Sequence, residues 1–105
     1  MVRKIAVLGA GSFGTAMAFL ASHKYDQVHI FCRDSAQAAH INEHHVNPKR
    51  MSEFILPSSI VAFDNVAQAI EGVEMVIHAI PVQNTFEFVT SIHHILPNVP
   101  YISTS

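Results

Sequence analysis

Short apolar runs alternate with segments of helical spacing along the whole chain. The runs have strand length and many β-branched residues, which predicts buried parallel strands at Lys4–Leu8, Gln27–Cys32, Ile60–Phe63, Met75–Ile80 and Tyr101–Ser103. The segments between them predict helices over Ser12–His23, Asp34–His45, Asp64 or Asn65 to Ile70, and Gln83–Ile95. Because strand and helix alternate, we expect an α/β fold, a parallel sheet of about five strands with helices on both faces.

Three glycines mark the turn between the first strand and the first helix. Gly9, Gly11 and Gly14 have the spacing G-x-G-x-x-G after an apolar strand and before a helix, the context of a dinucleotide-binding fingerprint. In that fingerprint the first glycine permits a tight turn, the second lets the backbone approach a pyrophosphate, and the third lets the helix pack closely. The helix N-terminus offers the phosphates free N–H groups and a partial positive charge. The pattern predicts a Rossmann-type fold; the alternative is a glycine-rich turn in an unrelated α/β protein.

Two further residues of the fingerprint are candidate cofactor contacts. Ser12 can offer a hydroxyl and an amide to a pyrophosphate. Phe13 either covers the cofactor or packs in the core, which is the commoner place for a lone aromatic side chain. Ligands of such sheets bind beyond the carboxyl ends of the strands, so we expect the loops after Leu8, Cys32 and Ile80 to converge on one site.

The end of the second strand bears on the choice of cofactor. An acid about 20 residues past the fingerprint usually holds the ribose 2′-hydroxyl of NAD, whereas an arginine nearby accommodates the 2′-phosphate of NADP. Arg33 and Asp34 stand side by side there. Asp34 can instead cap the second helix, with Gln37 at capping-box spacing, and a capping carboxylate is less free to bind a ribose. Arg33 can be a solvated loop residue; we predict that it contacts a 2′-phosphate, so that NADPH is preferred, with NAD as the alternative.

Composition limits the other function classes. The chain has 105 residues, half of them apolar and 13% charged, which predicts one domain over 1–105 with surface hidden against another domain or subunit. The net charge of −2 and the scattered basic residues argue against nucleic-acid binding. The apolar runs are too short to span a membrane. A single cysteine, Cys32, fits a reducing compartment, and we expect a cytoplasmic protein.

The remaining polar clusters are interpreted as structural. His40 and His44 share a helix face, but no third and fourth ligand follows at zinc-site spacing, so we expect no metal. His78 is interpreted as a core histidine rather than a proton donor. Cys32 lacks a basic partner on its own side of the strand and is interpreted as unreactive. We assign no catalytic residue in this chain.

Four segments in order resemble one family. They are Val7–Ala16, Phe31–Asp34, Ile41–Pro48 followed by Leu56-Pro57, and Ala79–Gln83. Each is similar to the corresponding segment of the bacterial-type NAD(P)-dependent glycerol-3-phosphate dehydrogenases. The resemblance covers nearly the whole chain, and Phe13 departs from it mildly because tryptophan is commoner there.

The resemblance implies reversible reduction of dihydroxyacetone phosphate to sn-glycerol 3-phosphate, in glycerophospholipid metabolism, by a protein that is a homodimer when full length. It implies cofactor contacts from Ser12, Phe13 and Arg33, from Arg50 in the loop after the second helix, and from Ile80 and Pro81 where the fourth strand ends. In that family a Lys-Gly pair follows the segment that Tyr101–Ser105 resembles, and a helical substrate domain with the catalytic lysine comes later. Neither is present in this sequence, so we expect a truncated NAD(P)-binding domain that has no turnover by itself.

Two other functions remain open from the sequence. Another NADP-dependent reductase, of the ketopantoate reductase type, shares such an N-terminal fold, although the Asn42–His44 and Asn47-Pro48 segments argue against it. A non-catalytic NAD-sensing regulatory module is the alternative from a different class. Such modules commonly end the second strand with an acid and favour NAD. Arg33 and the Ala79-Ile80-Pro81 turn disfavour this alternative, and a preference for NADPH would discriminate against it.

Overall fold

The chain forms one twisted parallel sheet covered by helices. A computed structural model describes residues 1–50, 52–80 and 85–103, with residues 85 and 86 by their backbone alone. Strands and helices alternate in the order β1 Lys4–Leu8, α1 Ser12–Ala21, β2 Gln27–Phe31, α2 Ser35–His44, β3 Ile60–Phe63, α3 Val66–Ala69, β4 Val76–His78, α4 Thr85–Ile92 and β5 Tyr101–Ser103. A 3₁₀ turn over His93–Ile95 follows α4. Within the described ranges, no helix combines the length and apolar character needed to cross a membrane.

The sheet confirms the predicted α/β, Rossmann-type architecture. Its strand order is β3-β2-β1-β4-β5, and every neighbouring pair is parallel. The chain therefore leaves β1 toward β2 on one side and returns to β4 on the other. The reversal between β1 and β4 opens a crevice at the carboxyl ends of the strands, where such sheets bind ligands.

Two apolar layers hold the helices against the sheet. On one face, strand residues such as Val7 and Ile30 pack with Ala18 of α1 and Ile41 of α2, all of them buried. On the other face, a second cluster joins the sheet to α3 and α4. Strands buried on both faces explain why the sequence shows continuous apolar runs instead of alternation.

Several predicted helices and strands extend beyond the observed ones. The first helix ends at Ala21 rather than His23, where the Ser22 hydroxyl donates a hydrogen bond to the Phe19 carbonyl. The fourth strand covers only Val76–His78, and α4 ends at Ile92 before the 3₁₀ turn. The expected helix start at Gln83 lies outside the described residues. These differences fall at element ends, where side chains compete for backbone hydrogen bonds.

A buried amide connects the loop after β1 to both helices of its layer. Asn47 is fully buried, and its Nδ2 donates to the Ala10 carbonyl at 2.9 Å and to the Thr15 hydroxyl at 2.8 Å. Its Oδ1 accepts from Gln37 Nε2 at 2.8 Å and from the Lys49 amide at 3.1 Å. We call the turn between β1 and α1, residues 9–11, the glycine loop. The Asn47 side chain therefore fixes this loop, α1, α2 and the segment after α2 relative to one another.

Gln37 serves this network instead of a capping box. Its backbone N–H is capped by Asp34, as the capping-box spacing predicts, but its side chain does not return to the start of the helix. Gln37 Nε2 instead reaches Asn47 Oδ1 and the Ala10 carbonyl, at 2.8 and 3.3 Å. Because the Ala10 carbonyl belongs to the glycine loop and Asn47 is itself bonded to that carbonyl, the glutamine joins α2 to the loop.

We predict that Asn47→Ala destabilises the fold by about 1–3 kcal/mol, because it leaves buried polar partners without a hydrogen bond. The measurement is urea unfolding followed by circular dichroism. Asn98→Ala is the matched control at an exposed asparagine, and there we expect a change within about 0.5 kcal/mol. Equal unfolding midpoints for the two variants would contradict the role given to Asn47.

Candidate functional site

The loop between β1 and α1 needs two of its glycines for its own geometry. Gly9 has a φ of +122°, and a Cβ built on it would lie 2.7 Å from the Ala79 carbonyl oxygen. Gly14 is buried, and a Cβ there would overlap the carbonyl of Gly9. These two positions therefore let the loop turn sharply and let α1 approach β1 and the end of β4.

Gly11 is different, because nothing in the described protein requires a glycine there. Its φ of −77° is open to any residue, and a Cβ built on it meets no atom within 4 Å. The residue faces a cavity of about 630 Å³ at the carboxyl ends of the strands. A glycine with neither conformational nor packing need, at the edge of a cavity, leaves room for the close approach of a ligand.

The N-terminus of α1 adds an attraction for anions at the same place. Its N-cap is Gly11, which makes no side-chain capping bond, and the first turn carries no acidic residue. The amides of the first helical turn have no partners within the helix, and the helix dipole gives them a partial positive charge. Ser12 and Phe13 are exposed on this turn and line the cavity. Phe13, at 53% exposure, is not a core residue.

The other end of the cavity carries charge. Three cationic side chains and one carboxylate line it: Arg33, Lys49, Arg50 and Asp34. Among the described residues Arg33 forms no ion pair, and Arg50 donates through Nη1 to the Lys49 carbonyl at 3.0 Å. The excess of positive charge at this end contrasts with the net charge of −2 for the whole chain, and it favours an anionic group.

Both carboxylate oxygens of Asp34 are engaged. Oδ1 accepts from the backbone amides of Ala36 at 2.9 Å and Gln37 at 3.3 Å, which confirms the predicted N-cap of α2. Oδ2 accepts from Lys49 Nζ at 2.6 Å. The bond from Lys49, followed by the two helix amides, lowers the pKa of Asp34, so the group is a carboxylate at neutral pH.

Another part of the cavity lining is apolar. Phe31 at the end of β2 and Ala79 and Ile80 after β4 form its wall. Ile80 is 7% exposed and Phe31 is equally buried. A flat, weakly polar ring could stack here without losing hydrogen bonds to water.

Cys32 and His78 are structural, as the sequence predicts. Cys32 is 1% exposed, and burial raises the pKa of its thiol to about 12, so it carries almost no thiolate at neutral pH. His78 is fully buried, its Nδ1 lies 2.5 Å from the Tyr101 hydroxyl, and burial lowers its pKa. It packs against Phe88 rather than facing the cavity.

The rings of the histidine pair on α2 contact each other at an interplanar angle of 45°. The rings of His40 and His44 lie 4.6 Å apart between centroids. In the part of the chain that the structure describes, no group of three histidine, cysteine or acidic residues is arranged to hold a metal ion.

The structure brings most sequence-predicted site residues to one cavity. Seven of them line it: Gly9, Gly11, Ser12, Phe13, Arg33, Arg50 and Ile80. Gly14 lies behind the loop, and Pro81 lies outside the described residues. Sequence reasoning missed Asn47 and the pairing of Lys49 with Asp34. Asn47 stands directly before Pro48, and no local pattern indicates a partner 37 residues away.

Comparisons with known proteins agree with this geometry. The family model described as the N-terminus of NAD-dependent glycerol-3-phosphate dehydrogenase matches residues 4–105. A chloroplastic glycerol-3-phosphate dehydrogenase [NAD(+)] of Oryza sativa is 41% identical over 106 residues, covering 98% of this chain and 24% of its own. A glycerol-3-phosphate dehydrogenase [NAD(P)+] of Leptospira biflexa is 36% identical over 103 residues, with coverage of 97% and 31%. The chain therefore spans between a quarter and a third of the length of these relatives.

Solved structures give the same fold. Glycerol-3-phosphate dehydrogenase from Plasmodium falciparum superposes with a TM-score of 0.86 at 27% identity, over 97% of this chain and 32% of its own. The enzyme from Coxiella burnetii gives 0.85 at 23% identity, with the same coverage. The family match over nearly the whole sequence and the identities above 30% show that the chain belongs to the NAD-dependent glycerol-3-phosphate dehydrogenase family, in the nicotinamide-cofactor-binding region that forms the N-terminus of its members.

Proposed function

We propose that the cavity binds NADPH in preference to NADH, as the cofactor domain of a protein that reduces dihydroxyacetone phosphate to sn-glycerol 3-phosphate. The observation that carries the proposal is the open space beside Gly11 at the N-terminus of α1. A pyrophosphate placed there accepts hydrogen bonds from the free amides of the first turn, and the helix dipole favours its charge. Gly9 and Gly14 contribute by shaping the loop, and Ser12 and Phe13 contact the cofactor from the same turn.

The preference for NADPH is supported by the charged end of the cavity. Arg33 follows β2, where the adenosine ribose lies in folds of this kind. Arg33 and Arg50 supply positive charge for a 2′-phosphate, and the single carboxylate of the lining is already bonded to Lys49. The names of the relatives support a nicotinamide cofactor without choosing between the two forms, since one carries NAD(+) and another NAD(P)+.

The apolar part of the cavity lining suits the nicotinamide ring. We place the ring against the wall formed by Phe31 and Ile80, with Pro81 as a further contact. The ionisable side chains in the described lining are the three cations, Asp34 and the buried Cys32. The described lining includes no histidine, Lys49 is bonded to Asp34, and the Cys32 thiol is buried, so we propose that the 105-residue chain binds cofactor without catalysing reduction.

For the whole protein we propose a cytoplasmic homodimer in glycerophospholipid metabolism, acting on the small-molecule substrate through a separate helical domain. Its substrate is suggested by the family to which the chain belongs. No turnover above the blank is expected when this chain is incubated with dihydroxyacetone phosphate and NADPH. Oxidation of NADPH that depends on the substrate, followed at 340 nm, would contradict this part of the proposal.

Gly11→Ala is expected to weaken NADPH binding at least about tenfold while changing the free energy of unfolding by less than about 0.5 kcal/mol, since the new methyl group fits the protein but enters the ligand space. Isothermal titration calorimetry and urea unfolding give the two quantities. Gly14→Ala is the matched control, and it should destabilise the fold because its Cβ meets the Gly9 backbone. If Gly11→Ala binds NADPH with wild-type affinity, the pyrophosphate does not lie against this loop.

Arg33→Gln is expected to weaken NADPH binding by about 10- to 100-fold, because a charge-assisted hydrogen bond to the 2′-phosphate is lost. NADH binding should change less than about twofold, since NADH carries an uncharged 2′-hydroxyl there in place of the phosphate. Lys24→Gln removes an exposed cation in the turn after α1 and serves as the control. A parallel loss of affinity for both cofactors would place Arg33 away from the 2′-phosphate.

A further inference from the structure

We propose that Lys49 is a specificity-determining residue that acts through Asp34. By holding this carboxylate, Lys49 withholds it from the ribose 2′-hydroxyl of NADH and removes its repulsion from a 2′-phosphate. The inference rests on the proposed cofactor site, and it assigns the choice between the two cofactors to an ion pair within the chain as well as to Arg33.

The geometry of Asp34 leaves no carboxylate oxygen without a partner. Oδ1 is directed to two amides of α2, and Oδ2 lies 2.6 Å from Lys49 Nζ. To accept a hydrogen bond from a ribose, the carboxylate has to give up either its helix cap or its ion pair. The cap stabilises the helix that carries Gln37, so the bond to Lys49 is the one that a variant can remove without disturbing the fold.

The backbone of Lys49 is hydrogen-bonded to a buried residue. Its backbone amide donates to Oδ1 of Asn47 at 3.1 Å, and Asn47 is fully buried in the network under the glycine loop. The same segment continues into Arg50, which lines the cavity. The hydrogen bond to the buried network therefore holds the backbone of Lys49 where its ammonium group reaches Asp34.

Charge balance gives the direction of the effect. With Lys49 present, the charges of Lys49 and Asp34 nearly cancel. The electrostatic potential at this end of the cavity is then determined by Arg33 and Arg50. Without Lys49, a carboxylate faces the bound ribose: it can accept a hydrogen bond from a 2′-hydroxyl, and it repels a 2′-phosphate. Both side chains are partly exposed, at 54% for Lys49 and 38% for Asp34, so salt screens the electrostatic part of the effect.

Lys49→Met is the direct test, with calorimetric titration of NADPH and NADH into the same preparation. We expect the ratio of the two dissociation constants to move toward NADH by at least about fivefold, through weaker NADPH binding and tighter NADH binding. Lys49→Arg retains the cation and should keep a ratio close to that of the wild type. If Lys49 has only a structural role, its loss will weaken both cofactors in parallel and leave the ratio unchanged, which would overturn the inference.

A double variant separates action through Asp34 from direct contact with the phosphate. Asp34→Asn keeps a good N-cap while removing the charge. In the Asp34→Asn variant, Lys49→Met should change the ratio of the NADPH and NADH dissociation constants by less than about twofold, since no carboxylate remains to be released. The same shift with and without Asp34 would mean that Lys49 contacts the 2′-phosphate itself, and it would overturn the proposed route.

The outcomes also distinguish this inference from the proposed function. Wild-type chain that binds NADH at least as tightly as NADPH contradicts the proposed preference, yet the shift caused by Lys49→Met can still be measured. Wild-type chain that prefers NADPH, with the same ratio in Lys49→Met, overturns the role of Lys49 alone. Repeating the titrations in about 0.5 M salt should reduce the shift, because the Debye length then falls well below its value of about 8 Å at physiological ionic strength.

Discussion

The buried side chain of Asn47 is the contact on which the geometry of the site depends. Its four hydrogen bonds connect the carbonyl of Ala10 in the glycine loop, Thr15 in α1, Gln37 in α2 and the amide of Lys49. Each partner belongs to a different segment, and apolar packing alone does not fix how these segments meet. A fully buried amide with all of its bonding capacity in use allows few alternative arrangements, because any other leaves a polar group unpaired.

The hydrogen bonds of Asn47 affect both halves of the cavity. On one side the network supports the loop whose Gly11 leaves open space before the free amides of α1. On the other side it fixes the segment that places Lys49 over Asp34 and Arg50 along the lining. The loop proposed to bind the pyrophosphate and the charged residues proposed to select the cofactor are separate along the sequence, and they share one structural support. Membership in the dehydrogenase family fits this arrangement, because the family model covers both the glycine loop and the charged lining residues around Asp34 and Lys49.

Much of the fold could be predicted from the sequence because its signals are local. The apolar run before Gly9 and the glycine spacing predict β1, the tight turn and α1, and Asp34 before Ser35 predicts the cap of α2. Arg33 and Ile80 could be placed near the loop because parallel strands end at the same edge of a sheet. The roles of Asn47 and Lys49 could not be predicted in this way. Three of the four partners of Asn47 lie 10 to 37 residues away, and Asp34 lies 15 residues from Lys49, so these contacts depend on how the second helix packs.

The central claim is that a nicotinamide dinucleotide lies across the loop between β1 and α1. Its most direct test is an NMR titration of the ¹⁵N-labelled chain with NADPH, followed through the backbone amides. The account predicts the largest shift changes at Gly11, Ser12 and Phe13, smaller ones at Arg33 and Arg50, and none at Tyr25 and Gly72, which lie toward the opposite edge of the sheet. Unchanged amides at Gly11 to Phe13 under saturating NADPH, or changes centred on the apolar groove of Phe19, Leu20 and Phe54, would contradict it.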